Sequence, residues 1–304
     1  AGNRRQVNYR PEMVHEYRDV DGDLLMCVLR VIGRDMASGK DKKFFIPARL
    51  AVPTEDCPRH LLEDHKHEGK PVAWISVGPQ HGEAKPIYGM EDVRAWFEAG
   101  GRNVLMVEGE KTRDAAKRLI SQADPDGRWL VLTPQGGSKS SIYADWGPFF
   151  DIVGDRKLTI IQWPDADKPL VRPNGKVEDR IALAVNQMQT VIAQRAFDRG
   201  VLDNLTLGQV VPPTDVESGW DVADAEKEGW KPEEVIQYIK KNSRRTDMAN
   251  LELRKPDDED NKIDVSGREE PEMAAPFELA GSPAGDQDDI DWIEAETGVS
   301  DSDE

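Results

Sequence analysis

The pattern of hydrophobic and polar positions changes character near residue 100. Before it, short apolar runs alternate with turn signals. His15-Glu16-Tyr17-Arg18 leads into Asp19-Val20-Asp21-Gly22-Asp23, whose acids and glycine mark a turn, and then into the apolar run Leu24 to Ile32. A polar, basic loop from Gly33 to Lys43 precedes a further strand at Phe44-Phe45-Ile46. Residues 53–70 read as irregular and polar, Val72 to Val77 as one more strand, and Ile87 to Ala99 as a helix. After it, strands and helices alternate. Asn103 to Val107 is a short apolar strand, and a helix begun near Thr112 runs through Asp114 to Gln122. Trp129 to Leu132 is a strand, followed by the glycine-containing loop Thr133 to Ser141. Leu158 to Gln162 is a third strand and Val177 to Phe197 a long helix, with Ile181, Ala184, Val185, Met188, Val191 and Ile192 at helical spacing. Leu205 to Val211 suits a final strand, and Pro232 to Lys241 a helix opened by proline. This βαβ alternation predicts an α/β fold: a parallel sheet with helices on its faces, preceded by a β-rich subdomain.

Charge divides the chain differently. Of its 58 acids, 18 fall in residues 255–304 beside only 3 bases, a net of −15. The remaining 40 acids and 37 bases leave residues 1–254 at −3, so the formal −18 is a property of the tail and not of the body. From about Lys255 the periodicity dissolves into Asp, Glu, Pro, Gly and Ser, the composition of an unfolded segment. Asp288-Asp289-Ile290-Asp291-Trp292-Ile293-Glu294 stands apart, placing three large apolar residues among acids in a way that suits docking on a basic groove, or a solvated tail. The boundaries expected are 1–85 for the β-rich basic subdomain, 86–245 for the α/β domain with its C-terminal helical segment, and 246–304 for a disordered acidic tail.

Cys27 and Cys57 form neither a metal-ligand pattern nor a disulfide framework. No apolar run approaches membrane-spanning length and no signal-peptide pattern opens the chain, which reads as a cytoplasmic protein without a membrane partner. Ala1 in place of Met reads as a processed N-terminus or a boundary in a longer chain.

Two strand ends carry the candidate chemistry. Val104-Leu105-Met106-Val107 runs into Glu108-Gly109 and a helix, which places Glu108 at the carboxyl edge of the sheet, where α/β folds build their sites. Leu158 to Trp163 runs into Pro164-Asp165-Ala166-Asp167; alternate residues of an extended segment point the same way, so Asp165 and Asp167 converge on one hard cation. Oxygen donors without His or Cys suit Mg²⁺ or Mn²⁺.

Together these residues resemble the Toprim domain, a Rossmann-like α/β fold: a hydrophobic strand into Glu-Gly, then one into Asp-x-Asp. The neighbours narrow the resemblance. Ile87-Tyr88-Gly89, Val107 to Thr112, Thr133-Pro134-Gln135-Gly136-Gly137, Trp163 to Asp167, and Gly219 to Ala225 with Gly229-Trp230 are similar to the DNA primase-like Toprim proteins of phages and mobile genetic elements, over roughly residues 9–242. That resemblance implies a DNA primase: metal-dependent, template-directed primer synthesis by nucleotidyl transfer in phage or mobile-element DNA replication, located in the host cytoplasm if phage-encoded. It implies a single-stranded DNA template, nucleoside triphosphates, and a replicative helicase or single-strand-binding protein as partner. Glu108 would serve as metal ligand or general acid/base, and Asp165 and Asp167 as ligands of the divalent ions.

Two positions depart from the pattern. Thr112 stands where many Toprim proteins have an acid, and Leu170 where many have glycine, with Lys168 to Lys176 inserted or rearranged. There is no four-ligand zinc ribbon and no helicase-type phosphate loop. The alternatives are a Toprim metal-dependent nuclease, or a non-catalytic Toprim protein that binds DNA or a replisome component.

Other residues point the same way more weakly. Lys111 begins a helix beside the acids and is placed to contact a phosphate or to be a solvated surface lysine. Arg30, Arg34, Lys40, Lys42 and Lys43 cluster on the early hairpin and would track a nucleic-acid backbone, with Phe44 or Phe45 stacking on a base or filling a core. Gly136 to Ser141 reads as a phosphate cradle or an ordinary turn. Trp220 and Asp221 read as core packing and helix capping, and His60, His65 and His67 as surface residues.

Overall fold

Alternate residues of the strand β7 (Asn103–Val107) sort into two cores. Val104 and Met106 pack with Trp96, Phe149, Phe150, Met188 and Ile192, whereas Leu105 and Val107 pack with Leu119, Ile120, Trp220, Val235 and Ile239. A strand apolar on both sides is the mark of a sheet covered on both faces. The computed structural model describes residues 9–34, 41–51, 65–67, 70–75 and 84–253. Lys40, Cys57, His60 and residues 254–304 lie outside the described residues, whereas residues 246–253, expected in the tail, are described, with Leu251 buried in a core.

The first unit is an antiparallel sheet of β1 (Tyr9–Arg18), β2 (Leu24–Arg34), β3 (Asp41–Ala51), β4 (His65–His67) and β5 (Lys70–Ile75), in the order β1-β2-β3-β5-β4. The turn between β1 and β2 closes on Asp19, whose carboxyl accepts from the Asp21 and Asp23 amides at 2.9 Å. This part is β-rich, as the alternation predicts. His65 and His67 sit on β4 rather than in irregular chain.

The second unit runs β6 (Ile87–Tyr88), α1 (Val93–Glu98), β7, α2 (Glu110–Ala123), β8 (Trp129–Pro134), α3 (Gly147–Val153), β9 (Leu158–Trp163), β10 (Leu170–Val171), β11 (Val177–Glu178), α4 (Arg180–Asp198), β12 (Leu205–Val210), α5 (Val222–Lys227), α6 (Pro232–Asn242) and β13 (Ser243–Arg245). Its main sheet has the order β13-β12-β9-β7-β8-β6. The four central strands are parallel, and β13 and β6 close the edges antiparallel. Helices α1, α3 and α4 supply one core and α2, α5 and α6 the other. The fold is the mixed α/β architecture expected, a mostly parallel sheet flanked by helices. From β7 the chain steps through α2 to β8 on one side, then crosses to β9 on the other. The carboxyl ends of β7 and β9 therefore flank a topological switch point, where open α/β sheets leave a crevice.

Local chemistry explains the elements that differ from expectation. The helix expected over Ile87–Ala99 begins only at Val93. Ile87 and Tyr88 pair instead with Pro134 and Thr133, and Gly89 breaks the path with φ +102°. A Cβ there would lie 2.6 Å from the Arg113 guanidinium and 2.8 Å from the Val131 carbonyl, so both the turn and the close approach require glycine. The helix expected from Val177 starts at Arg180. Arg172-Pro173-Asn174-Gly175 folds the chain back, Leu170 pairs with Glu178 and Val171 with Val177, and the Asp179 carboxyl caps α4 by accepting from the Ala182 amide at 3.0 Å. Helix α3 and edge strand β13 had no sequence counterpart.

The two units meet through β1. Tyr17, fully buried, packs its ring on Tyr88 and donates its hydroxyl to Glu110 Oε1 at 2.6 Å. His15 approaches Asp114 at 3.6 Å, and the Tyr88 hydroxyl donates to Asp114 at 3.3 Å. The Arg113 guanidinium, also buried, pairs with Asp92 and covers the Tyr88 ring. The amino-terminal sheet is thus seated on the first two turns of α2, the helix that follows Glu108.

Candidate metal centre

Register fixes the position of the acids. Val107 lies opposite Trp163 on neighbouring parallel strands, so Glu108 and the Pro164-Asp165 segment leave the sheet side by side. Gly109 follows with φ +93°, turning the chain into α2, and its amide donates to Thr133 Oγ1 at 3.0 Å. Glu108 Oε2 accepts from the Ser138 hydroxyl at 2.8 Å. Ser138 opens a 3-10 turn (Ser138–Tyr143) directly after Gly136 and Gly137. The glycine loop thus holds the Glu108 carboxyl.

Asp165 has the opposite surroundings. Its Oδ1 is buried with no hydrogen-bond partner among the described residues. Burial first, then the negative charges of Glu108, Asp221, Asp167 and Asp224, push its carboxyl up to about 8. Burial also raises Glu108, opposed by the hydrogen bonds from Ser138 and from the Asp165 amide. Asp167 pairs with Arg180 at 2.7 Å, and its charge also bears on Glu108 and Asp165. Among the described residues, no three His, Cys, Asp or Glu side chains stand close enough to cage a cation as they are. The sequence-predicted trio is therefore only partly brought together: Glu108 and Asp165 meet, while Asp167 is held by a guanidinium.

The sequence reads Asp221 as a helix cap, and Asp221 does cap α5. Its carboxyl accepts from the Ala223 and Asp224 amides at 2.7 and 3.1 Å, while the Asp224 carboxyl faces the Asp221 amide at 3.4 Å. Both also add negative charge at Asp165. Backbone hydrogen bonds from Ala166 to Trp220 and from Gly219 to Ala166 tie the two acidic segments together. Thr112 Oγ1 donates to Asp221 Oδ2 at 2.8 Å, so the position that departs from the family pattern ties α2 to the second acidic segment.

The cations are placed unequally. Burial and the neighbouring Lys227 lower Lys111, which Asp221 and Asp224 counter, so Lys111 belongs to the acidic cluster. Lys85, not singled out from the sequence, donates to Ser140 Oγ at 3.2 Å and is lowered by burial; its link to the glycine loop is visible only in three dimensions. Arg30 is buried and pairs with Glu12 at 2.7 Å, so its charge is spent inside the sheet and not offered to solvent. Lys43 and Phe45 are exposed on one face of β3. The backbones of Arg34 and Lys42 end β2 and begin β3, paired opposite Asp41 and Gly33 respectively.

The donor chemistry fits a hard divalent ion. An uncompensated buried carboxylate oxygen at a crevice, surrounded by further carboxylates and lacking soft ligands, is stabilised by a cation bound among them.

No protein-family model matches the chain, and no curated protein matches it. Among solved structures it is similar to the zinc-binding and RNA polymerase domains of the Aquifex aeolicus primase: 15% identity, 77% of this chain and 40% of that chain covered, TM-score 0.39. It is also similar to the primase fragment of the bacteriophage T7 primase-helicase protein, with 16% identity, coverage of 77% and 63%, and TM-score 0.38. The RNA polymerase domain of Mycobacterium tuberculosis primase DnaG matches at 11% identity, coverage of 72% and 56%, and TM-score 0.32. The chain spans less than two thirds of each of these chains.

Proposed function

We propose that this chain is a primase-type nucleotidyltransferase that makes primers on single-stranded DNA from nucleoside triphosphates. The observation that carries the reading is the buried, unpartnered Asp165 oxygen beside Glu108, at the crevice between β7 and β9. Glu108, Asp165 and Asp167 would hold Mg²⁺ or Mn²⁺, which supplies charge neutralisation at phosphates and activation of a primer hydroxyl. The residues of the chain do the positioning. Ser138 fixes the orientation of Glu108. Lys111, near Asp221 and Asp224, and Lys85, bonded to Ser140 of the glycine loop, would offer cationic contacts to triphosphate oxygens. Lys43 and Phe45 offer a charge and a stacking surface to the template. The residues flanking the acids, through their family resemblance, favour synthesis over hydrolysis.

The test is primer formation on a defined single-stranded template with Mg²⁺ or Mn²⁺, wild type beside Glu108→Gln and Asp165→Asn. Both variants should lose synthesis; full activity in both overturns the reading. End-labelled DNA in the same reactions identifies a nuclease by cleavage without nucleotide addition. The Arg180–Asp167 ion pair favours a second reading, a scaffold that binds DNA without catalysing. Calorimetry showing no divalent-ion binding at millimolar concentration would select it.

A further inference from the structure

The β10–β11 hairpin exposes apolar side chains that the fold does not use. Val171 and Val177 are cross-strand partners, 66% and 61% exposed, and Leu170 on the opposite face is 42% exposed. Hairpins of two-residue strands have little to hold them in water without a covering partner. Residues 168–180 also carry Lys168, Arg172, Lys176 and Arg180 beside Glu178 and Asp179, a net of +2. Arg172 is paired with Glu178 and Arg180 with Asp167. Lys168 and Lys176 are exposed and make no ion pair among the described residues. A cationic, apolar ribbon therefore stands three residues beyond Asp167.

One segment of this chain has the complementary chemistry. Asp288-Asp289-Ile290-Asp291-Trp292-Ile293-Glu294 interleaves four acids with three large apolar residues. The described chain ends on the same side of the sheet as α4, because Leu251 lies in the core that holds Met188 and Ile192. Helix α4 starts at the hairpin and is about 28 Å long, at 1.5 Å per residue over its 19 residues. The 36 residues between Leu253 and Ile290 span up to about 120 Å when extended. Reach is therefore ample, and a tethered segment is presented at effective concentrations on the order of millimolar.

We propose that residues 288–294 dock on the β10–β11 hairpin of the same chain, with Ile290, Trp292 and Ile293 covering Val171 and Val177 and the acids facing Lys168 and Lys176. The contact is independent of whatever reaction the acids carry out.

Zero-length carbodiimide cross-linking of the full chain at low salt, read by mass spectrometry on a mixture of ¹⁵N-labelled and unlabelled protein, tests this. The expected products link Lys168 or Lys176 to Asp288, Asp289, Asp291 or Glu294 within one chain. Their yield should fall about tenfold in a Val171→Ser/Val177→Ser variant, the loss expected when two valines leave an apolar contact. Ile290→Ser/Trp292→Ser, on the other side of the proposed contact, should lower it as much. Links between chains only, links spread evenly over Lys43, Lys117 and Lys241, yields unchanged in both variants, or no tail links at all, as for a hairpin kept for nucleic acid or another protein, would each overturn the proposal.

Discussion

Replacing Tyr17 by Phe removes one oxygen atom at the seam between the two units. The ring keeps its packing, because its contact with Tyr88 at 5.1 Å between centroids does not involve the hydroxyl. What is lost is the 2.6 Å donation to Glu110 Oε1. Both residues are buried, so no water replaces the donor without rearrangement. A hydrogen bond to a charged acceptor in such a place is worth about 1.5–3 kcal/mol, so Tyr17→Phe should cost about 2 kcal/mol. With an m-value of about 2–3 kcal/mol/M, the urea midpoint would drop by about 0.7–1 M. Tyr238→Phe is the comparison, since its half-buried hydroxyl donates at 3.0 Å to the neutral Val211 carbonyl and its loss should cost only about 1 kcal/mol. In a Glu110→Gln background the Tyr17→Phe cost should fall toward that same value. Equilibrium unfolding followed by circular dichroism measures all of these. A cost below about 0.5 kcal/mol, or one equal in both backgrounds, would show that the hydroxyl–carboxylate contact does not hold the seam.

Two further outcomes follow from the geometry. Asp221→Ala removes the α5 cap and the Thr112 partner and should lower stability by about 1–2 kcal/mol, while Asp221→Asn keeps the capping oxygen and should cost less than half as much; equal losses would assign the effect to charge. Gly89→Ala should destabilise by about 3 kcal/mol or more because its Cβ meets backbone and a buried guanidinium, whereas Gly200→Ala, at φ +68° at the end of α4 with open space around it, should cost only about 1–2 kcal/mol. Thermal melts of the pair check the ordering.

The parallel sheet and the acids at its edge were legible because the central strands are largely apolar, and two of them, β7 and β9, run into carboxylates. That pattern depends only on local order and on burial of both faces. The hairpin was not legible, because two-residue strands carry no period and Arg172-Pro173-Asn174-Gly175 reads equally as an insertion. Arg30 shows the limit for charge. Its neighbours along the chain do not reveal that β1 brings Glu12 against it, so a buried ion pair reads as a basic patch. Asp221 was correctly assigned as a cap. Its second relationship, to Asp165 and to Thr112 109 residues away, arises only when α5 docks on α2.

The strand order also sets a schedule. Glu108 gains its neighbour only when β9 inserts beside β7, after β8 has already taken the other side, and 57 residues separate Glu108 from Asp165. Asp221 arrives 56 residues later still. At synthesis rates of about 5–20 residues per second, each interval lasts about 3–11 s. During that time a growing chain carries isolated carboxylates with no focus of negative charge among them. The carboxylates that crowd Asp165 are all present only once translation has passed α5, when nearly all of the described residues have been made.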